Sequence, residues 1–169
     1  MLREVAAAGI MVATISSTMQ LRSADFAAGG VIPQASMAMD CGGKNRSPAL
    51  AWTGEPQGTK SFALVVHDPD APVPGGFYHW VLYNLAGGTQ RLAADAKLAA
   101  DQVGVTSLGK PGYYGPCPPP GPAHHYAFTL YALDLAHIPG SPPLSAGQLE
   151  AHIHGHVLAR AVLQATASH

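Results

Sequence analysis

An all-β fold closed by a C-terminal helix is the class this sequence predicts, and three observations carry the prediction. Only 11% of the 169 residues are charged, while 19 are glycine and 15 are proline, a composition of many turns rather than of long solvated helices. Three apolar runs, Phe62 to Val66, Trp80 to Leu85 and Tyr126 to Leu133, are short and rich in β-branched and aromatic residues, as buried strands are. The period changes after Ser145. Ser145 with Gln148 reads as a capping box, and Leu149, Ile153, Val157 and Ala161 recur every four residues, which predicts a helix from about Ala146 to Gln164.

The totals also set limits. With 47% hydrophobic residues the chain can fill a core, and its length suits one domain. A net charge of −1, with no run of either sign, gives no field to attract nucleic acid.

Taken in order, residues 1–18 carry an apolar stretch, Val5 to Ile15, behind Arg3, which Glu4 offsets. The stretch is too short to span a bilayer as a helix. It reads as a secretory leader or as an added helix packed on the domain, and the domain itself is assigned to residues 19–169. The compartment follows that choice: cytoplasmic, or periplasmic or secreted if residues 1–18 are a signal. Phe26 to Trp52 alternates short apolar groups with Gly, Pro and Asn, as edge strands and turns do. Leu92 to Asp101 repeats LAAD at a six-residue interval that fits no solenoid unit, and reads as a short surface helix or loop. Cys41 and Cys117, the two cysteines, stand in loop-like settings. They pair in an oxidising compartment or stay reduced in the cytosol.

The chemistry gathers in two loops. Between the first two runs lie His67, Asp68, Asp70 and His79, in a segment stiffened by Pro69, Pro72 and Pro74 and released by Gly75 and Gly76. If the flanking strands pair, two carboxylates and two imidazoles meet at one end of a sheet. The other loop, Gly109 to Tyr126, holds Pro116, Pro118, Pro119, Pro120 and Pro122. These exclude helix and leave a rigid extended segment that delivers His124, His125 and Tyr126 to the start of a strand.

DPDAP from Asp68, the following GFYHW from Gly76, and GYYGPCPPPGPAHHY from Gly112 resemble the two signature loops of the phosphatidylethanolamine-binding protein family, also called Raf kinase inhibitor-like proteins. The resemblance runs from about Met19 into the C-terminal helix and is nearest to the bacterial members. It implies a two-sheet β-sandwich with a C-terminal helix and a small anion pocket at one end, in a non-enzymatic binding protein without a cofactor. The implied ligand is a phosphate or a phospholipid head group. Asp68 and His79 are the implied pocket pair, with Pro72, His124 and Tyr126 as wall. Backbone amides near Gly115 and Cys117 are candidate donors, since imidazoles, a tyrosine hydroxyl and free loop amides suit an anion. A carboxylate beside a histidine fixes its tautomer and favours its protonated form, which makes the ring a better donor. Asp70 joins the candidate set, against a plainer role capping its own turn; His67 reads as a structural strand-end histidine and His125 as solvent-facing. A kinase or peptidase docked on the pocket rim, and a homodimer, are further partners implied by family analogy. Cys117 between two prolines and the extra Pro122 depart from the animal pattern, so the lipid specificity of those members is not carried over.

Two sharper chemistries fit less well. His152, His154 and His156 suggest a metal cluster, but on a helix His152 and His156 share a face while His154 points away, and no carboxylate joins them. Hydrolysis lacks a nucleophile: there is no GxSxG elbow, and the prolines around Cys117 suit a shaped wall rather than a reactive thiol.

Overall fold

The computed structural model describes residues 18–139 and 143–169, so the expected leader or added helix lies almost wholly outside the described residues. The all-β prediction is borne out: the described strands form two antiparallel sheets. The smaller holds β1 (Gln20–Ser23), β2 (Leu50–Thr53) and β5 (Arg91–Leu92) in the order β1-β2-β5. The larger holds β3 (Ser61–Asp68), β4 (Phe77–Ala86), β6 (His124–Leu133) and β7 (Val157–Ala167) in the order β4-β3-β6-β7. The three apolar runs are therefore strands of one sheet, two of them central.

The side-chain period of two explains why those runs are unbroken. Phe62, Leu64 and Val66 of β3 point between the sheets, where they meet Trp52, Trp80, Leu82, Phe128 and Leu130. Ala63 and Val65 point the opposite way, under a helix α1 (Ala146–Ile153) that supplies Ala146, Leu149 and Ile153. A strand covered on both faces has no solvent side on which to place polar residues. Each large apolar side chain so buried contributes roughly 1.5–3 kcal/mol of transfer free energy. A bulge breaks this alternation near the far end of β4 and returns Leu85 to the face that Trp80 and Leu82 share. Asn84 takes φ 54°, and its side chain accepts from Ile138 N–H at 2.7 Å and donates to the Asp101 carbonyl at 3.1 Å.

The helix is shorter than the sequence predicts. Its cap is as expected, with Gln148 N–H donating to Ser145 Oγ and Ser145 N–H to Gln148 Oε1. It ends at Ile153, and the residues expected to continue it form β7 instead. A spacing of four is also a multiple of two, so Val157 and Ala161 fit a strand as well as a helix. Gly155 decides, because it takes φ 81°, a left-handed conformation that stops a helix. In β7 the buried residues are Ala161, Leu163, Ala165 and Ala167, alternate positions on one face.

Both edges of the larger sheet carry an irregular strap. Along β7, Gly29 N–H donates to Gln164, Ile32 N–H to Thr166, and Thr166 N–H back to Gly30. Along β4, Gly104, Ser107 and Tyr114 donate to the carbonyls of Val81, Tyr78 and His79. The LAAD segment is loop, with one 3-10 turn at Ala100–Gln102, and the stretch after Phe26 holds two more such turns before β2. Cys41, in the second of those turns, is bonded to Cys117 with Cα atoms 5.5 Å apart, which answers the open question of their pairing. A bond closing 76 residues lowers the entropy of the unfolded chain enough to stabilise the fold by about 4.5 kcal/mol in the chain-entropy account.

Candidate functional site

β3 ends at Asp68, β4 starts at Phe77 and β6 starts at His124, so antiparallel pairing brings all three to one end of the sheet. Asp68 is 3% exposed and fully engaged. Its Oδ1 accepts from the backbone N–H of Asp70 (2.9 Å) and Ala71 (3.1 Å), closing the loop that follows. Its Oδ2 accepts Nδ1–H of His124 at 2.8 Å. The turn-capping carboxylate is thus Asp68, not Asp70. The tight return at Gly76 (φ 75°) admits no side chain, since a Cβ there would collide with the Asp68 carbonyl and the His67 ring. His67 is structural, as expected: Nε2–H donates to the Gly75 carbonyl at 2.8 Å and the ring stacks on Tyr78 at 4.5 Å.

His79 differs from the expected arrangement. The carboxylate–imidazole pair is Asp68–His124, whereas His79 donates Nδ1–H to the Tyr114 carbonyl at 2.7 Å. Its ring lies among Phe77 (4.6 Å between centroids), Tyr126 (5.2 Å) and Tyr114. Burial disfavours the charged form and lowers its pKa from 6.5 to about 4, against the opposing pull of the Tyr114 carbonyl and the Asp68 charge. At neutral pH the ring is uncharged, the Tyr114 bond places its one hydrogen on Nδ1, and Nε2 carries a lone pair. The Tyr126 hydroxyl is buried and no group among the described residues meets it with hydrogen-bond geometry; burial first, then the charge and hydrogen-bonding pull of the nearby Asp68 carboxylate, raise its pKa.

These groups surround a cavity of about 360 Å³. Of the sequence-predicted residues, Asp68, Pro72, His79, Cys117, His124 and Tyr126 line it. Asp70 does not: it turns outward, where its carboxylate accepts both the backbone N–H (2.8 Å) and Nδ1–H (2.7 Å) of His125, bonds that hold its pKa below the usual range. His125 faces solvent as expected. Gly115 does not line the cavity either; its amide donates to Asn45 Oδ1 at 2.7 Å, and its lack of a side chain lets the chain pass against Ser36 and Ala38. Cys117 lines it as half of a disulfide, and so as wall. Sequence reasoning missed Phe77, Tyr114 and Leu108, which also line it. Tyr114 stood inside the quoted proline-rich motif, and Phe77 stood two residues before His79. Leu108 carries no motif and arrives only because the β4 strap folds back there.

The three histidines near the C-terminus diverge. His152 lies in α1, His154 terminates it, and His156 donates Nδ1–H to Asp134 at 2.8 Å. Among the described residues no three metal-ligating side chains cluster, and no helix is long and apolar enough to cross a membrane.

A sandwich with a preformed, mostly apolar cavity into which a few polar groups converge is the construction of a binding protein. The chain belongs to the phosphatidylethanolamine-binding protein family, whose model matches residues 22–168. It is 39% identical over 155 residues to the UPF0098 protein YbhB of Escherichia coli, covering 87% of this chain and 98% of that one. The crystal structure of E. coli YbcL, described as a new member of the mammalian family, matches with a TM-score of 0.83 and 31% identity over 90% of this chain and 99% of YbcL. A phosphatidylethanolamine-binding protein homolog from Chlamydia trachomatis, CT736, matches with a TM-score of 0.80 and 37% identity over 88% and 96%.

Proposed function

We propose that the protein is a non-enzymatic binding protein whose cavity holds a small anion, a phosphate or a phospholipid head group. The observation that carries this reading is the Tyr126 hydroxyl. It is buried, it keeps its proton, and it has no partner among the described residues. A buried hydroxyl without a partner costs about 1–3 kcal/mol, which an acceptor oxygen on a ligand would offset. His124, held by Asp68, stands beside it as a second polar group of the cavity. The family's name supports a phosphoryl group among anions. Asp68, already accepting three hydrogen bonds, serves as a support that orients His124 rather than as the ligand's own partner.

The test is an NMR titration of the labelled protein with phosphate, phosphoethanolamine and acetate. Saturable shifts are expected in the His79 and His124 rings and in the amides of 68–76 and 115–126. The Tyr126→Phe variant should lose most of that affinity while melting within a few degrees of the wild type. No shift in millimolar ligand, or unchanged affinity in the variant, overturns the reading.

A second reading has its own observation. Val73 and Leu108, at the cavity mouth, are 47% and 51% exposed, a rim on which a partner kinase or peptidase could bury apolar surface. Inhibition of such an enzyme by the wild type, and its loss on Leu108→Asp, is the outcome that would favour it. The Cys41–Cys117 bond fits an oxidising compartment better than the cytosol, and so favours the periplasmic or secreted alternative.

A further inference from the structure

The hydrogens in this cavity say which anion it suits, an inference that rests on the anion reading above. His79 has directed its Nδ1–H at the Tyr114 carbonyl, an acceptor only, at 2.7 Å. Its Nε2 has no hydrogen-bond partner among the described residues and, in the uncharged ring, presents a lone pair. Asp68 offers no hydrogen and is filled by two backbone N–H groups and His124. Tyr126 supplies one O–H. An oxyanion without hydrogens would therefore set lone pair against lone pair at His79, and the site can repair this only by protonating a ring that burial keeps uncharged. The groups acting on that ring do not supply the missing proton. Asp68 from β3 and, more weakly, the Gly115 backbone draw one towards it, His67 from β3 opposes, Tyr114 takes the hydrogen the ring already has, and Tyr126 from β6 meets it edge-on at 5.2 Å, while burial outweighs them all. His124 is turned by its own Nδ1–H towards Asp68.

We propose that the ligand brings the missing hydrogen: the cavity selects oxyanions that retain an acidic proton, such as hydrogen phosphate or a phosphate monoester monoanion, over hydrogen-free ones such as sulfate or a phosphodiester. His79 Nε2 accepts the ligand's O–H, while Tyr126 donates to one of its bare oxygens. No bond breaks; a single hydrogen is shared. The same rule separates the two sources of a phosphoryl group, because free phosphate carries a hydrogen at neutral pH and the phosphodiester of a lipid head group does not.

Calorimetric titration of the wild-type protein at pH 7.5 with phosphate, sulfate and dimethyl phosphate tests this. Phosphate should bind more tightly than sulfate, its match in charge, and than dimethyl phosphate, by about tenfold or more, because either of the latter leaves a buried polar group unpaired. In His79→Gln, whose amide can donate as well as accept, the phosphate-to-sulfate ratio should fall towards one. Equal affinity for phosphate and sulfate in the wild type overturns the inference and leaves the anion reading standing. Binding of none of the three overturns both. A ratio unchanged in His79→Gln removes His79 as the selecting residue.

Discussion

Asp68–His124 and Asp70–His125 are the same pair of residue types, two positions apart on one strand end and one position apart on another. Their hydrogen bonds are alike, 2.8 and 2.7 Å. Their surroundings are not. The side chains of the first pair are 4% and 12% exposed, and those of the second 43% and 64%. Bond length therefore says little about what a carboxylate–imidazole pair contributes; water access decides, because an exposed pair exchanges its partner for solvent at little loss while a buried one cannot.

The contrast can be broken from its strong side first. Asp68→Ala removes the acceptor of two loop amides and of His124 at a site water barely reaches, and should cost about 3–5 kcal/mol. Chemical denaturation would read this as a large fall in midpoint at constant slope, and a fall no larger than that of a surface variant would mean that burial does not protect the pair. A smaller effect follows from pH. His79 titrates at about 4 in the folded protein and near 6.5 when unfolded. Between those values the unfolded chain binds more protons, so stability is fully present above the upper value and is lost as pH falls through the window, by about 3 kcal/mol in total. Asp70 is also held below its ordinary value, by its bonds to His125, but at an exposed site that pairing adds no second step to the profile. A flat profile between pH 6.5 and 4.5 would contradict a buried, uncharged His79. The smallest effect is expected from Asp70→Ala. Its thermal midpoint should be indistinguishable from that of the wild type, with a mobile 70–74 loop in NMR relaxation as the visible trace.

The legible part of the sequence was the part where one physical demand acts alone. β3, β4 and β6 were readable because both-sided burial forces unbroken apolar runs, and the proline loop because the prolines from Pro116 to Pro122 admit no helix. Where two demands share one pattern the reading failed. Leu149 to Ala161 obeys a helical spacing and a strand spacing together, and only Gly155 separates them. The cavity residues were found by motif, but not their pairing: Asp68 and His124 are 56 residues apart, and nothing in the sequence ranks that partner above the nearer His79. Leu108 was invisible because the β4 strap that delivers it holds only isolated bridges and no regular strand.

That edge arrangement has a bearing on how the molecule avoids its own kind. On the β7 side the segment from Gly29 to Ile32 occupies the hydrogen-bonding groups of Gln164 and Thr166, while Leu158 and Val162 further along the strand are 41% and 44% exposed. A chain clipped between β1 and β2 would uncover the rest of that edge beside an apolar surface, a ready template for another strand. Damage there would register as self-association of folded molecules rather than as unfolding, and it would begin at the sheet edge farthest from β4.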